Sequence, residues 1–229
     1  MLLSCPANEA NRSWWGWTMS TEQRRAELRQ ALLEAAERRI AAEGLQALKA
    51  RVLAAEANCA IGQIYNVWPD LDSLVIAVNA RTLDNLEERL TAAGAAEGSL
   101  SASEARAVLV AQAEAYLDFA RHNGARWRAV FEHRLAGSRE LPIWYREQQA
   151  RLFAHVDRPL RALLPGLPQA ERAALGRSVF SAVHGVVWLG LEELLGDQSH
   201  EDLRRQLRTI MGAIADGLGE GSDDCNGPA

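Results

Sequence analysis

Apolar residues recur at helical spacing along most of the chain, and no run of strand length alternates cleanly between apolar and polar positions. Ser20 to Gln23 has the S-x-x-Q form of a capping box. Leu28, Leu32, Ala35, Ala36 and Ile40 then fall on one face, which predicts a first helix ending at Gly44. A second helix is expected from near Leu48, with Val52, Leu53 and Ala57 inward, and it stops at Asn58, a residue that tolerates the left-handed conformation of a sharp turn. The segment NCAIGQIYNVWPD, Asn58 to Asp70, reads as a third, short helix closed by Pro69, which disfavours helical geometry at Trp68. A fourth opens at Asp70 to Asp72, whose carboxylates suit a helix N-terminus. Its apolar side is Leu74, Val75, Val78, Leu83, Leu86 and Leu90, and it ends in the linker candidate AAGAAEGSLSAS.

Beyond that linker, SASE opens a helix through Val108, Tyr116 and Phe119 to about His122, and GARWRAVFEHRLAG is a shorter one. Pro142 suits the first turn of the next, through Trp144 and Phe153 to about Asp157. Two long helices follow, roughly Gln169 to Leu195 and His200 to Gly217. The expectation is an all-α chain of about nine helices, a small group preceding a larger one. Its divisions are an N-terminal extension (1–19), a three-helix domain (20–68), a larger helical domain (69–219) and a disordered tail (220–229).

Composition narrows the functions open to such a chain. At 229 residues it can bury a sizeable core, and a net charge of −5 argues against a protein coated in positive charge while leaving room for a local basic face. Cys5, Cys59 and Cys225 offer neither a disulfide framework nor a C-x-x-C site, which fits a reducing compartment. The first residues lack the pattern of a signal peptide, and no apolar stretch approaches a membrane span, so a cytoplasmic protein is expected. The SWWGW cluster reads as an upstream extension if translation starts at Met19.

The second and third helices, joined by a tight turn at Ala57 to Cys59, have the form of a helix-turn-helix, whose second helix would present Ala60, Gly62, Gln63 and Asn66 to base edges. Gly62 permits close approach to DNA, and the amides of Gln63 and Asn66 can pair with adenine N6 and N7. Tyr65 offers a phenol to a phosphate while its ring packs inward; Ile61, Ile64 and Trp68 would wedge the short helix in place. Two short helices around a tight turn are also ordinary packing in helical proteins.

The wider pattern from Leu33 to Leu74 resembles the DNA-binding region of the TetR family of transcriptional repressors. The shared features are the Ala-Ala helix before Gly44, the alanine-rich second helix, Gly-x-x-Tyr at Gly62 to Tyr65, an aromatic at Trp68 and the acidic-x-x-leucine opening of helix four. The resemblance covers about a fifth of the chain, and it implies a double-stranded DNA operator, a small-molecule effector and a homodimer, with no cofactor and no enzymatic activity. Four positions depart from the family pattern: Asn58 stands for a glycine, Gln63 for a threonine, Val67 for a histidine and Leu71 for a lysine. Lys49, Arg51, Arg24 and Arg25 are then candidate phosphate contacts, or simply a solvated face. Leu71 is either a lost phosphate contact or a packing residue beneath Trp68. Ser181 to Leu195 is similar to the His-Gly helix of one regulator subgroup, although the tryptophan common before that pair is missing. Ala182, Gly185 and Gly190 suit a dimer seam on the last two helices, with Val183 or Val187 facing it.

An aromatic-rich helical domain suits a small-molecule cavity, and the candidate contacts are Tyr116, Phe119, Trp127, Phe131, Trp144, Phe153, His184 and Trp188, many of which would simply be core. His133, His155 and His184 are not at the i, i+4 spacing of a helical metal pair, and Cys59 reads as a buried structural thiol. Two other classes remain open from the residues alone: a helical enzyme using His184 as acid or base, and a scaffold that binds protein only.

Overall fold

The computed structural model describes residues 20–95, 98–135 and 139–223. The N-terminal extension to residue 19, with Cys5 and the Trp cluster, and the tail from 224, with Cys225, lie outside the described residues.

The first helix, α1 (Thr21–Glu43), begins with the expected capping box: Ser20 Oγ accepts from the Gln23 backbone N–H at 3.1 Å, and Gln23 Oε1 accepts from the Ser20 N–H at 2.8 Å. Leu32, Ala35, Ala36 and Ile40 are its buried face, and Gly44 leaves it with φ +79°. A 3₁₀ turn (Leu45–Ala47) then intervenes, so α2 (Ala50–Glu56) starts later than the apolar pattern implies. Asn58 takes the left-handed conformation (φ 49°), and the N–H of Cys59 reaches back to the Ala54 carbonyl at 2.9 Å. That bond satisfies a helix-end carbonyl and reverses the chain. The third helix, α3 (Ile61–Val67), ends at an extended Trp68 ahead of Pro69.

The fourth helix, α4 (Leu71–Ala93), is capped by Asp70, which accepts from the Ser73 N–H at 2.7 Å. Its apolar stripe is shared out along its length. Leu74 and Val78 pack with α1, α2 and α3, Ile76 and Leu83 pack with Tyr145, and Leu86 and Leu90 enter the large C-terminal core. One helix thus contributes to all three hydrophobic clusters.

That core is built by α5 (Ala102–His122), α6 (Gly124–Glu132), α7 (Ile143–Leu163), α8 (Gln169–Leu191) and α9 (His200–Asp223), making nine α-helices and no strand among the described residues. Three ends differ from the sequence expectation. α7 continues past Asp157 through Pro159 because Pro159, Leu160 and Leu163 are buried and Arg172 anchors Asp157 at 2.6 Å; their burial outweighs one missing backbone bond. α8 stops at Leu191, where Glu193 turns left-handed (φ 55°) and exposes Leu194 and Leu195. α9 runs to Asp223, beyond Gly217 and into the segment expected to be disordered.

α6 forms a second link between the N-terminal and C-terminal cores. Ala129 is buried in the N-terminal core, its carbonyl accepts from Asn79 Nδ2 at 3.2 Å, and Arg126 and Arg81 both pair with Glu37 of α1, at 2.7 and 3.0 Å.

By length and composition α8 could cross a membrane, the one such helix among the described residues and contrary to the sequence expectation. Its apolar character serves two sides. Val179, Val183 and Val187 are buried in the protomer's own core, which corrects the idea that Val183 or Val187 faces a seam. A Cβ on Gly190 would lie 2.3 Å from Leu203, so this glycine lets α9 approach within the protomer. Gly185 instead faces open space, in line with the exposed Ser181 and Leu189.

Candidate functional site

Two regions carry chemistry, and α4 reaches both. At the first, α3 is too short to stand alone, and Ile64, Val67 and Trp68 hold it against α1. Trp68 is 3% exposed. Its indole N–H donates to the Arg29 carbonyl at 3.3 Å, the Arg29 guanidinium lies 3.6 Å over its ring, and the same guanidinium donates to the Val67 carbonyl. Trp68 therefore is the wedge that the sequence implies, but Ile61 is not: it is 43% exposed. The Tyr65 ring, expected to pack inward, is 49% exposed. Both lie on the outward side of a helix whose phase is fixed by Ile64 and Val67, which leaves positions 61 and 65 pointing to solvent.

On that outward side Ala60, Gly62, Gln63 and Asn66 are all exposed. A Cβ built on Gly62 meets nothing within 4 Å, so nothing inside the protomer requires a glycine there. Gln63 Oε1 accepts from the Ala60 N–H at 2.9 Å, capping α3; its amide N–H₂ remains available. Arg24 and Arg25, in the first turn of α1, line one groove with Gln63 and Asn66. Lys49 and Arg51 are exposed at the start of α2. None of these four cations has a carboxylate partner among the described residues, whereas Arg39, Arg81, Arg126 and Arg128 are all paired. Cys59 is a free, half-buried thiol whose pKa burial raises, as befits a structural residue. Leu71 is partly buried against the N-terminal core.

The second region is a cavity of about 260 Å³ lined by residues of α4 to α9. Leu86, Leu90, Leu109, Leu152 and Val179 give it apolar walls, and Gln112, Tyr116, Gln149 and His155 supply its polar points; no Arg or Lys lines it. Of the aromatic candidates, Tyr116, Phe131 and Phe153 reach this cavity. Phe119 and Trp127 are buried in the core around it, Trp188 is partly buried against that core, and Trp144 is half-exposed on the surface.

His184 belongs to a stack behind the cavity. Its ring lies 4.3 Å from Phe131 and 5.6 Å from Trp188, centroid to centroid. The Trp127 indole N–H donates to Tyr116 Oη at 2.9 Å, so the phenol's own proton goes to His184 Nδ1, 2.7 Å away. This assigns the His184 proton to Nε2. Burial lowers the imidazole pKa and raises that of the Tyr116 phenol, so both groups are neutral. Among the described residues no three His, Cys, Asp or Glu side chains are grouped to hold a metal ion.

Sequence reasoning missed Gln112, Gln149 and the cavity role of His155 by weighing aromatics alone. A glutamine four residues before Tyr116, inside the stripe of Leu109 and Ala113, was the available signal.

Residues 109–214 match the family model of the tetracyclin repressor-like C-terminal domain. That match covers a little under half of the chain, and it falls on α5 to α9. Several solved structures share the fold. A proposed transcriptional regulator from Pseudomonas aeruginosa PAO1 is 24% identical over 90% of this chain and 95% of its own, with a TM-score of 0.59. The regulator FadR from Bacillus subtilis, solved with stearoyl-CoA, is 15% identical over 82% and 98%, with a TM-score of 0.58. A TetR-family regulator from Streptomyces coelicolor is 20% identical over 88% and 87%, with a TM-score of 0.55. No curated protein matches the chain.

Proposed function

We propose that this chain is a cytoplasmic repressor of the TetR family that binds a near-palindromic operator as a homodimer and releases it when a small molecule enters the cavity. The observation that carries the reading is α4: its first turns pack under α3 through Leu74 and Val78, and its last turns line the cavity through Leu83, Leu86 and Leu90. A ligand that favours one seating of α4 changes the separation of the two recognition helices in a dimer, and it does so to the extent that it binds the free form better than the DNA-bound form. Gln63 and Asn66 would read bases, Tyr65 and the unpaired cations would meet phosphates, and the outward row of α8 at Ser181, Gly185 and Leu189 would form the seam. The His-Gly subgroup is a narrower assignment that rests on Ser181 to Leu195.

A gel shift with DNA from upstream of the protein's own gene tests this reading. Retarded DNA that is freed by cavity-binding compounds supports it. If every compound that raises the melting temperature leaves operator affinity unchanged, the cavity is not the sensor.

A further inference from the structure

A second pocket lies beside the apolar cavity, where Ile76 and Asn79 of α4, Val130 and Phe131 of α6, Tyr145 of α7 and His184 of α8 come together. Val130 and Phe131 line both spaces; Tyr145 and His184 line only the second. Among the described residues, the side-chain polar atoms that are fully buried without a partner are Asn79 Oδ1, Gln112 Oε1, His133 Nε2 and Gln148 Oε1. Tyr145 Oη and His184 Nε2 make no hydrogen bond to the protein either, but they are not fully buried, so both reach the space beside them. Tyr145 as a whole is only 2% exposed, and burial keeps its phenol protonated.

The bonds behind His184 fix what it offers. Trp127 donates to Tyr116 Oη and Tyr116 donates to His184 Nδ1, which leaves the imidazole proton on Nε2. Burial alone lowers the pKa of this ring, with no charged group contributing, so it stays neutral and Nε2–H stays a donor. Phe131 and Phe180 flank the ring at 4.3 and 5.5 Å, centroid to centroid, an apolar setting in which an unmade hydrogen bond is costly. The arginines of the pocket are already engaged. Arg139 pairs with both Asp70 and Asp72, and Arg134 is exposed and donates to the Phe131 and His133 carbonyls.

We infer that this pocket binds a neutral molecule with an apolar body and a hydrogen-bond-accepting oxygen, such as a ketone carbonyl, which accepts from His184 Nε2–H, and that the Tyr145 hydroxyl also bonds to that molecule. The inference does not depend on the apolar cavity being the sensor. Its place in the fold sets it apart from that cavity. Ile76 and Asn79 lie beside Leu74 and Val78, which pack under α3, whereas the cavity first meets α4 at Leu83, about 6 Å beyond Asn79 at 1.5 Å per residue. Asn79 Nδ2 also holds the Ala129 carbonyl at 3.2 Å, so an occupant sits at the joint between α4 and α6.

Acetophenone, α-methylstyrene and benzoate have equal non-hydrogen atom counts and present a carbonyl, a methylene in its place and an ionised carboxylate. NMR titration of the full chain, with its histidine rings labelled with nitrogen-15, should show the His184 Nε2 resonance moving downfield with acetophenone and staying in place with α-methylstyrene. Acetophenone should bind about fivefold more tightly than α-methylstyrene, the worth of one hydrogen bond, and more tightly than benzoate. The resonance is assigned by its absence in His184→Phe. Tyr145→Phe, which removes a hydroxyl without a protein partner, should keep its melting temperature and lose affinity for acetophenone. No acetophenone binding, equal affinity for acetophenone and α-methylstyrene, tighter binding of benzoate, saturation that leaves the His184 resonance in place, or undiminished affinity in folded Tyr145→Phe would each overturn the inference. The wild-type titrations decide it even if a variant fails to fold.

Discussion

Tyr65 is exposed, without a side-chain partner among the described residues, and the phosphate contact proposed for it would carry little sequence information. Tyr65→Phe should weaken binding to all DNA sequences alike, while Gln63→Ala or Asn66→Ala should shift preference at particular base pairs; selection from random DNA with each variant checks this. An unchanged consensus in both amide variants would remove those side chains from base readout. Leu71 is the second position decided by its surroundings. Its partial burial against the N-terminal core favours the packing role over the lost phosphate contact, so Leu71→Lys should cost about 1 to 2 kcal/mol of stability and leave the slope of log affinity against log salt unchanged. A slope steeper by about 1 to 2 would restore the phosphate reading. His133, His155 and His184 share one sign: burial lowers each pKa below its ordinary value. The unfolded chain therefore binds more protons in this range. Their contribution to stability is intact above about pH 6.5 and is lost as the pH falls from there toward the depressed folded values. Thermal melts should show a lower midpoint at about pH 5.5 than at about pH 7.5, and equal midpoints would contradict the burial of these rings.

Among the elements, helix existence was legible because each capping signal is local: Ser20, Asp70 and Ser101 each cap the helix that follows them. The turn at Asn58 was legible for the same reason. Which side of α8 faces out was not. Its residues are apolar all round, so periodicity could not distinguish Val183 and Val187, which face the core, from Gly185, which does not. The cavity was only half legible, since an aromatic residue looks the same in sequence whether it lines a void, as Phe153 does, or sits half-exposed on the surface, as Trp144 does. The phase of α8 now separates two substitutions. Gly185→Arg points into open space on a helix that prefers arginine to glycine, so the protomer should keep its melting temperature while sedimentation shows loss of the dimer. Val183→Arg places a charge in the core and should unfold the protomer itself. A Gly185→Arg chain that stays dimeric would remove the α8 seam.

For the molecule as a whole, α4 and the α1–α6 contact leave few independent ways for the domains to move: Glu37 is held by both Arg81 and Arg126, and Asn79 of α4 grips the Ala129 carbonyl of α6. A ligand acting on the cavity therefore reaches α3 through packed helices. The central claim is that two copies of α3, paired by symmetry, read one DNA site. Selection of binding sequences from random double-stranded DNA by the full-length protein measures this most directly. The expected result is a two-fold symmetric consensus whose half-sites lie about 34 to 36 Å apart or a multiple of that, with enrichment lost when Gly62 is replaced by tryptophan. No enrichment, or a single half-site bound equally well by the wild type and the Gly62→Trp variant, would contradict the account.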